Sequence, residues 1–237
     1  MILDWLNSSV FTVFGETITV VEVIGFITGG LCVWAVTREW TWNWPMGIVN
    51  NLAFIVLFAG AGLYADTSLQ VVFVIIGIYG WITWARGRVV VLPIRRATRN
   101  ELLVGVAVTA AATVGVALLL AAETNSVVPW PDAFILAASL WATWMQAKMI
   151  IEQWWVWIVV DLVSVPLYFI KHLNLTGTLY LGFLALCIYG LVKWTRDLRA
   201  LRAAAVSSTV ASPSQASEPS PMAETSLLAE PVEASRA

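Results

Sequence analysis

Charge is what this sequence has least of. Only 12% of its 237 residues are Asp, Glu, Lys or Arg, and 59% are hydrophobic, with a mean hydropathy of +0.81. A soluble domain carries about 25% charged residues. So little charge cannot cover a water-facing surface, which excludes a soluble globular domain. Cysteine is scarce too: Cys32 and Cys187 each sit inside an apolar segment, which excludes a disulfide framework and leaves no cysteine cluster for a metal. The first residues hold Asp4 and no early Lys or Arg, so no cleavable signal peptide is expected, since one needs a basic n-region.

The chemistry-bearing patterns that are missing narrow the function. The apolar segments contain no HExxH, no paired aspartates and no Ser/His pair, and a lone Asp161 cannot run two-carboxylate chemistry. An enzyme is therefore not expected, nor a cofactor, a metal or a nucleic-acid partner. No nucleotide-binding motif is present. A seven-helix photoreceptor needs a Schiff-base lysine in mid-helix, whereas Lys193 lies at the end of its segment.

What the chain does have is long apolar runs. A bilayer core of about 30 Å is crossed by about 20 apolar residues, and seven runs qualify, at about 17–36, 45–64, 67–85, 101–122, 131–149, 154–171 and 174–194. Residues 1–16 form a candidate short interfacial helix. From residue 203 the chain turns to Ala, Ser, Pro and Glu without aromatics, the composition of a disordered tail. With seven alternating spans, Arg38, Arg86, Arg88, Arg95, Arg96, Arg99, Lys148, Lys193, Arg196, Arg199, Arg202 and Arg236 fall on one side, and only Lys171 falls on the other. The positive-inside rule then puts the N-terminus outside and the C-terminus in the cytoplasm. The expectation is a multi-pass protein of the cell (inner) membrane.

The chain also repeats itself. At an offset of 110, "IYGWITW" (78–84) lies over "IYGLVKW" (188–194) without a gap. The same offset pairs Trp34 with Trp144, Arg38 with Lys148, Trp44 with Trp154, Phe73 with Phe183 and Arg86 with Arg196. Spans one to three thus recur as five to seven, over about 17–86 and 127–196, with the span at 101–122 as a lone linker. Three helices per repeat plus one linker set both copies the same way up. The expected fold is an all-α integral membrane protein of seven transmembrane helices in a 3+1+3 parallel-repeat arrangement, with residues 17–202 as the transporter domain. Parallel repeats of this kind belong to transporters, whose substrate sites lie near the midplane between the halves.

Two related helices carry the polar residues. In the sixth span Trp154, Trp157, Asp161, Ser164 and Tyr168 follow at steps of three and four residues, which puts them on one face. The second span places Trp44, Gly47, Asn51, Phe54 and Phe58 at the equivalent positions, with Asn50 beside them. An ionisable side chain deep in a span is functional by default, which singles out Asp161. Asn50, Asn51 and Gln70 serve equally as interhelical hydrogen bonders. Trp5, Trp40, Trp42, Trp84, Trp130 and Trp194, near the ends of spans, are expected in the interfacial belt.

These residues resemble the PnuC family of bacterial vitamin transporters, whose named cargo is nicotinamide riboside. The resemblance covers about residues 17–197 and rests on "NWPMGIVN" (43–50), "LYADTSLQVVF" (63–73) leading into "IYGWITW", and "IEQWWVWIVVDLVSVPLY" (151–168). The last is similar to the family's Glu-Asn-Trp-x-x-Trp-x-x-x-Asp/Asn signature, here Glu152, Gln153, Trp154, Trp157 and Asp161. Gln153 stands where the family usually has Asn. Thr143 stands where it often has Gln, and the nearest amide is Gln146. The resemblance implies a facilitator for nicotinamide riboside, trapped by phosphorylation in the cytoplasm, and a homo-oligomer, a trimer. The candidate substrate-binding residues are Trp44, Asn50, Asn51, Gln70, Tyr79, Gln146, Trp154, Trp157, Asp161 and Tyr168. A flat pyridinium cation suits Trp and Tyr faces, and the amide and ribose hydroxyls suit Asn, Gln and Asp. A facilitator of another vitamin, nucleoside or sugar is the open alternative.

Overall fold

The structure, a computed structural model, describes residues 8–13, 16–60, 64–87, 94–123, 128–170 and 174–211. Among them are two short strands, β1 (Ser9–Val13) and β2 (Glu16–Thr19). Seven helices follow: α1 (Val20–Thr37), α2 (Asn43–Gly60), α3 (Tyr64–Gly87), α4 (Arg99–Glu123), α5 (Pro129–Ala147), α6 (Gln153–Ile170) and α7 (Asn174–Ala211). Among the described residues, four segments are long and apolar enough to cross a membrane: Thr67–Arg86, Arg99–Ala122, Gln153–Ile170 and Thr176–Ser207. Two compact units are distinguished, Met1–Arg199 and Ala200–Ala237; the site described below lies wholly in the first.

Two sequence expectations need correction. The N-terminal segment is not helical where it is described, because β1 and β2 pair antiparallel ahead of the all-helical body. Val10, Thr12, Val13, Thr17, Ile18 and Thr19 supply the β-branched side chains that favour strands. At the other end α7 runs past residue 203, where a disordered tail was expected to begin, to Ala211. The alanines at 203–205 have the strongest helix propensity of any residue and extend the helix without burying anything. The rest of the expected tail, and residues 1–7, lie outside the described residues.

The connection after α1 and the one after α5 are built alike. Each helix closes with a residue in the left-handed region, Glu39 at φ 58° and Met149 at φ 54°. In each, the next amide reaches back five residues, Trp40 N–H to Ala35 O at 2.9 Å and Ile150 N–H to Met145 O at 3.0 Å. This is the Schellman closure of a helix, made here twice without its usual glycine. In each repeat a cation then sits over a tryptophan ring, Arg38 over Trp34 at 4.9 Å and Lys148 over Trp144 at 4.4 Å.

A polar clasp joins the linker helix to the second of these turns. Arg95 N–H bonds Met149 O and Ile151 N–H bonds Arg95 O, both at 3.0 Å. Ala97 N–H donates to Glu152 Oε2 at 2.8 Å. Thr98 and Glu101 form a capping box at the start of α4, each accepting the other's backbone N–H. Arg95 grips Glu101 through two hydrogen bonds of 2.8 and 2.7 Å, which hold its guanidinium above its ordinary pKa. Glu152, the acid of the quoted signature, thus anchors a loop.

Candidate functional site

The centre of the first unit is a chain of four tryptophans. Trp44 meets Trp84 edge-on at 5.5 Å, Trp84 meets Trp194 at 6.5 Å, and Trp194 meets Trp154 edge-on at 5.5 Å. The edge-on geometry puts a positive ring edge against a negative ring face. The expectation that Trp84 and Trp194 belong to the interfacial belt is overturned, since they are 4% and 0% exposed. Trp40, Trp42 and Trp130 are exposed, and Trp5 lies outside the described residues.

Two glycines make this chain possible. A Cβ on Gly80 would lie 2.4 Å from the Trp44 ring, and one on Gly190 would lie 2.6 Å from the Trp154 ring. Neither position has room for any side chain. The repeated Ile-Tyr-Gly-x-x-x-Trp motif is therefore a packing device: its glycine receives one tryptophan and its own tryptophan packs on the same ring. Tyr79, one residue before Gly80, is turned about 100° around the helix and is 45% exposed. It does not line the site, which corrects the expectation that it does.

Trp44 and Trp154 form walls of a cavity of about 310 Å³. Of the expected site residues, Trp44, Asn51, Gln146, Trp154, Trp157 and Asp161 line it. Asn50 does not, because Asn51 occupies the cavity-facing position of α2 and its neighbour points aside. Gln70 does not either: α3 contributes Phe73 and Gly77, one and two turns further along. Tyr168 reaches the cavity only through Tyr180, whose ring lies 4.8 Å from its own. Missing from the sequence-based set are Asn43, Ser139, Tyr180, Phe73 and Phe183. The last two were already paired by the offset of 110, a signal that marked them.

The walls themselves obey that offset. Gly29 and Ser139, Val33 and Thr143, Val36 and Gln146, Gly47 and Trp157, Asn51 and Asp161, and Gly77 and Cys187 all line the cavity as pairs. In each pair the second member is the larger or the more polar. Asn43, Trp44, Asn51 and Phe73 keep hydrogen-bonding and aromatic groups on the side of the first repeat as well.

Several polar atoms here lack partners. The indole N–H groups of Trp44 and Trp154 and one carboxyl oxygen of Asp161 are buried without a hydrogen bond among the described residues. The Asp161 carboxyl accepts a hydrogen bond from the Cys187 thiol. A buried polar group left unpaired costs about 1–3 kcal/mol. The cavity itself is lined by aromatic and apolar side chains with a few polar ones, Asn43, Asn51, Ser139, Thr143, Gln146 and Asp161, which is the make-up of a small-molecule site. Among the described residues no group of three His, Cys, Asp or Glu could hold a metal ion.

Comparison with known proteins places the chain in a family. The family model described as nicotinamide mononucleotide transporter matches residues 19–196. The riboflavin/roseoflavin transporter RibM of Streptomyces davaonensis is 34% identical over 197 residues, 81% of this chain and 92% of the relative. The nicotinamide riboside transporter PnuC of Escherichia coli is 22% identical over 212 residues, 78% of this chain and 89% of the relative. The crystal structure of a vitamin B3 transporter PnuC shares the fold, with a TM-score of 0.58 at 21% identity over 75% of this chain and 81% of that one. The chain belongs to the nicotinamide mononucleotide transporter, or PnuC, family and is a multi-pass transporter of the cell membrane, not an enzyme.

Proposed function

We propose that this transporter is a facilitator for a flat heteroaromatic vitamin bearing a polyhydroxylated arm, and that riboflavin is its cargo. The observation that carries the reading is the cavity: tryptophan walls, with Asn51, Gln146 and Asp161 in its polar lining. Trp44 and Trp154 stand near the starts of α2 and α6. Asn51 and Asp161 stand seven residues further on, about 10 Å along a helix. That is the length of a ring system with its sugar-like arm: the ring lies between the indoles and the hydroxyls reach Asn51 and Asp161. The similarity to the riboflavin/roseoflavin carrier over nearly its whole length favours riboflavin among such cargoes.

Nicotinamide riboside is the second reading. The place of Asp161 in the cavity lining favours it, because a carboxylate beside aromatic faces suits a pyridinium cation.

The transport path follows the 3+1+3 arrangement, with all seven helices crossing, the N-terminus outside and the C-terminus cytoplasmic. The matched caps, cation–ring pairs and tryptophan–glycine contacts of the two repeats support it. So does the one-sided distribution of Arg and Lys. Helices α1, α2 and α5 all contribute walls to the cavity, where polar residues and glycines are in place. Cytoplasmic phosphorylation retains the cargo, and the working unit is a homo-oligomer, a trimer.

Uptake of labelled riboflavin into liposomes carrying the purified protein tests the cargo. Saturable uptake, competed by unlabelled riboflavin more strongly than by nicotinamide riboside, thiamine or deoxynucleosides, is expected. Uptake of labelled nicotinamide riboside without riboflavin would select the second reading, and uptake of neither would overturn both.

A further inference from the structure

Asn43, at the start of α2, and Gln146, in the last turn of α5, both line the cavity and touch each other. We propose that this pair locks Gln146 as a hydrogen-bond acceptor, so that the carrier demands an N–H donor on the edge of the ring it transports. The inference rests on the cargo class proposed above and names what reads its ring.

The two amide orientations follow from their partners. Asn43 is 4% exposed, and one of its amide atoms lies 2.6 Å from the carbonyl oxygen of Trp40. Only the nitrogen can donate there, so the other atom, facing Gln146, is the oxygen. The Gln146 atom 3.3 Å from that oxygen must then be its nitrogen, because two oxygens at that distance would repel. Trp84 holds the Gln146 backbone in turn, donating its indole N–H to Gln146 O at 3.1 Å. What remains open to the cavity is Gln146 Oε1, which receives no hydrogen bond among the described residues. An acceptor beside an N–H of the same amide matches a cyclic imide or a carboxamide, where N–H adjoins C=O.

The lock stands on one repeat only. The offset of 110 puts Gln153 opposite Asn43 and Val36 opposite Gln146. Val36 has no amide to offer, and Gln153 is fully buried with both polar atoms unpaired. The acceptor is therefore presented from one side of an otherwise paired cavity, which gives the ring one preferred direction.

The test compares riboflavin with its N3-methyl derivative, which lacks the imide N–H, by quenching of flavin fluorescence on the purified protein. Loss of a hydrogen bond to a buried acceptor corresponds to about a 5- to 150-fold change in Kd, so the methyl derivative should bind at least about fivefold more weakly. In Gln146→Met, of similar bulk, riboflavin should weaken until the two ligands bind alike. In Asn43→Leu the Gln146 amide is free to turn over, so the ratio should shrink while riboflavin still binds. Steric exclusion of the methyl group alone would leave the ratio unchanged in both variants. An unchanged ratio, or equal binding of the two ligands to the unsubstituted protein, would overturn the lock and leave the cargo reading standing. Should the protein bind nicotinamide riboside and not riboflavin, the same comparison is made with its N,N-dimethyl carboxamide, with the same expected ratio. Binding of neither vitamin would overturn the cargo reading and the lock together.

Discussion

At the scale of single residues, Asp161 is the point where chemistry and burial conflict most. It is 3% exposed, one carboxyl oxygen takes the Cys187 thiol, and the other has no partner. Its proposed role is that of an acceptor for a hydroxyl or N–H of the cargo, and an amide oxygen can do the same. Asp161→Asn is therefore expected to keep binding within a few fold, whereas Asp161→Leu, leaving a buried donor unmet, should weaken it by about 5- to 150-fold. Calorimetric titration of both variants with riboflavin decides it: equal damage would mean that the charge itself is required. Asp161, Trp154 and Trp157 were legible in the sequence because steps of three and four residues within an apolar run expose one helix face. Asn43 was not, since it stands at a helix start, where nothing in the spacing separates a cavity wall from a cap. Tyr79 was misplaced because its motif is held in common by packing needs, and those belong to Gly80 and Trp84.

At the scale of elements, the repeat makes paired predictions. Gly80 and Gly190 each lie against the ring of the tryptophan that opens a repeat's second helix, Trp44 or Trp154. Overpacking costs about 1–3 kcal/mol where the neighbour cannot move, and these rings are pinned by Trp84 and Trp194. Gly80→Ala and Gly190→Ala should each lower the melting temperature of the detergent-solubilised protein, and by similar amounts. A clear loss for one and none for the other would mean that the two tryptophan seats are not equivalent. The helices themselves were legible, because runs of apolar residues bounded by Pro, Asn and Arg leave few alternatives. Their ends were less so. The β1–β2 hairpin lies in a segment too short and mixed for periodicity to choose between helix and strand. The extension of α7 to Ala211 depends on alanine propensity in a stretch whose overall composition reads as disorder.

At the scale of the whole molecule, the cavity combines a symmetric frame with an asymmetric lining. In the proposed 3+1+3 arrangement, repeats that close alike and pack their tryptophans alike would give two halves that exchange conformations about a fixed site. Each half lends a tryptophan and a polar side chain, Trp44 with Asn51 and Trp154 with Asp161, while Trp157 and Gln146 stand opposite Gly47 and Val36. The proposed cycle is expected to need no coupling ion. Among the described residues lining the cavity, Asp161 is the single carboxylic acid and there is no histidine, whereas a proton pump passes its proton along a chain of such groups. Transport is therefore expected to run downhill in whichever direction the cargo gradient points. With substrate inside proteoliposomes and none outside, efflux should proceed as readily as uptake does in the reverse arrangement. Collapsing the proton and sodium gradients should leave both initial rates unchanged. A protonophore that abolished uptake while sparing cargo binding would mean that Asp161, or an acid outside the described residues, carries a proton with each turnover.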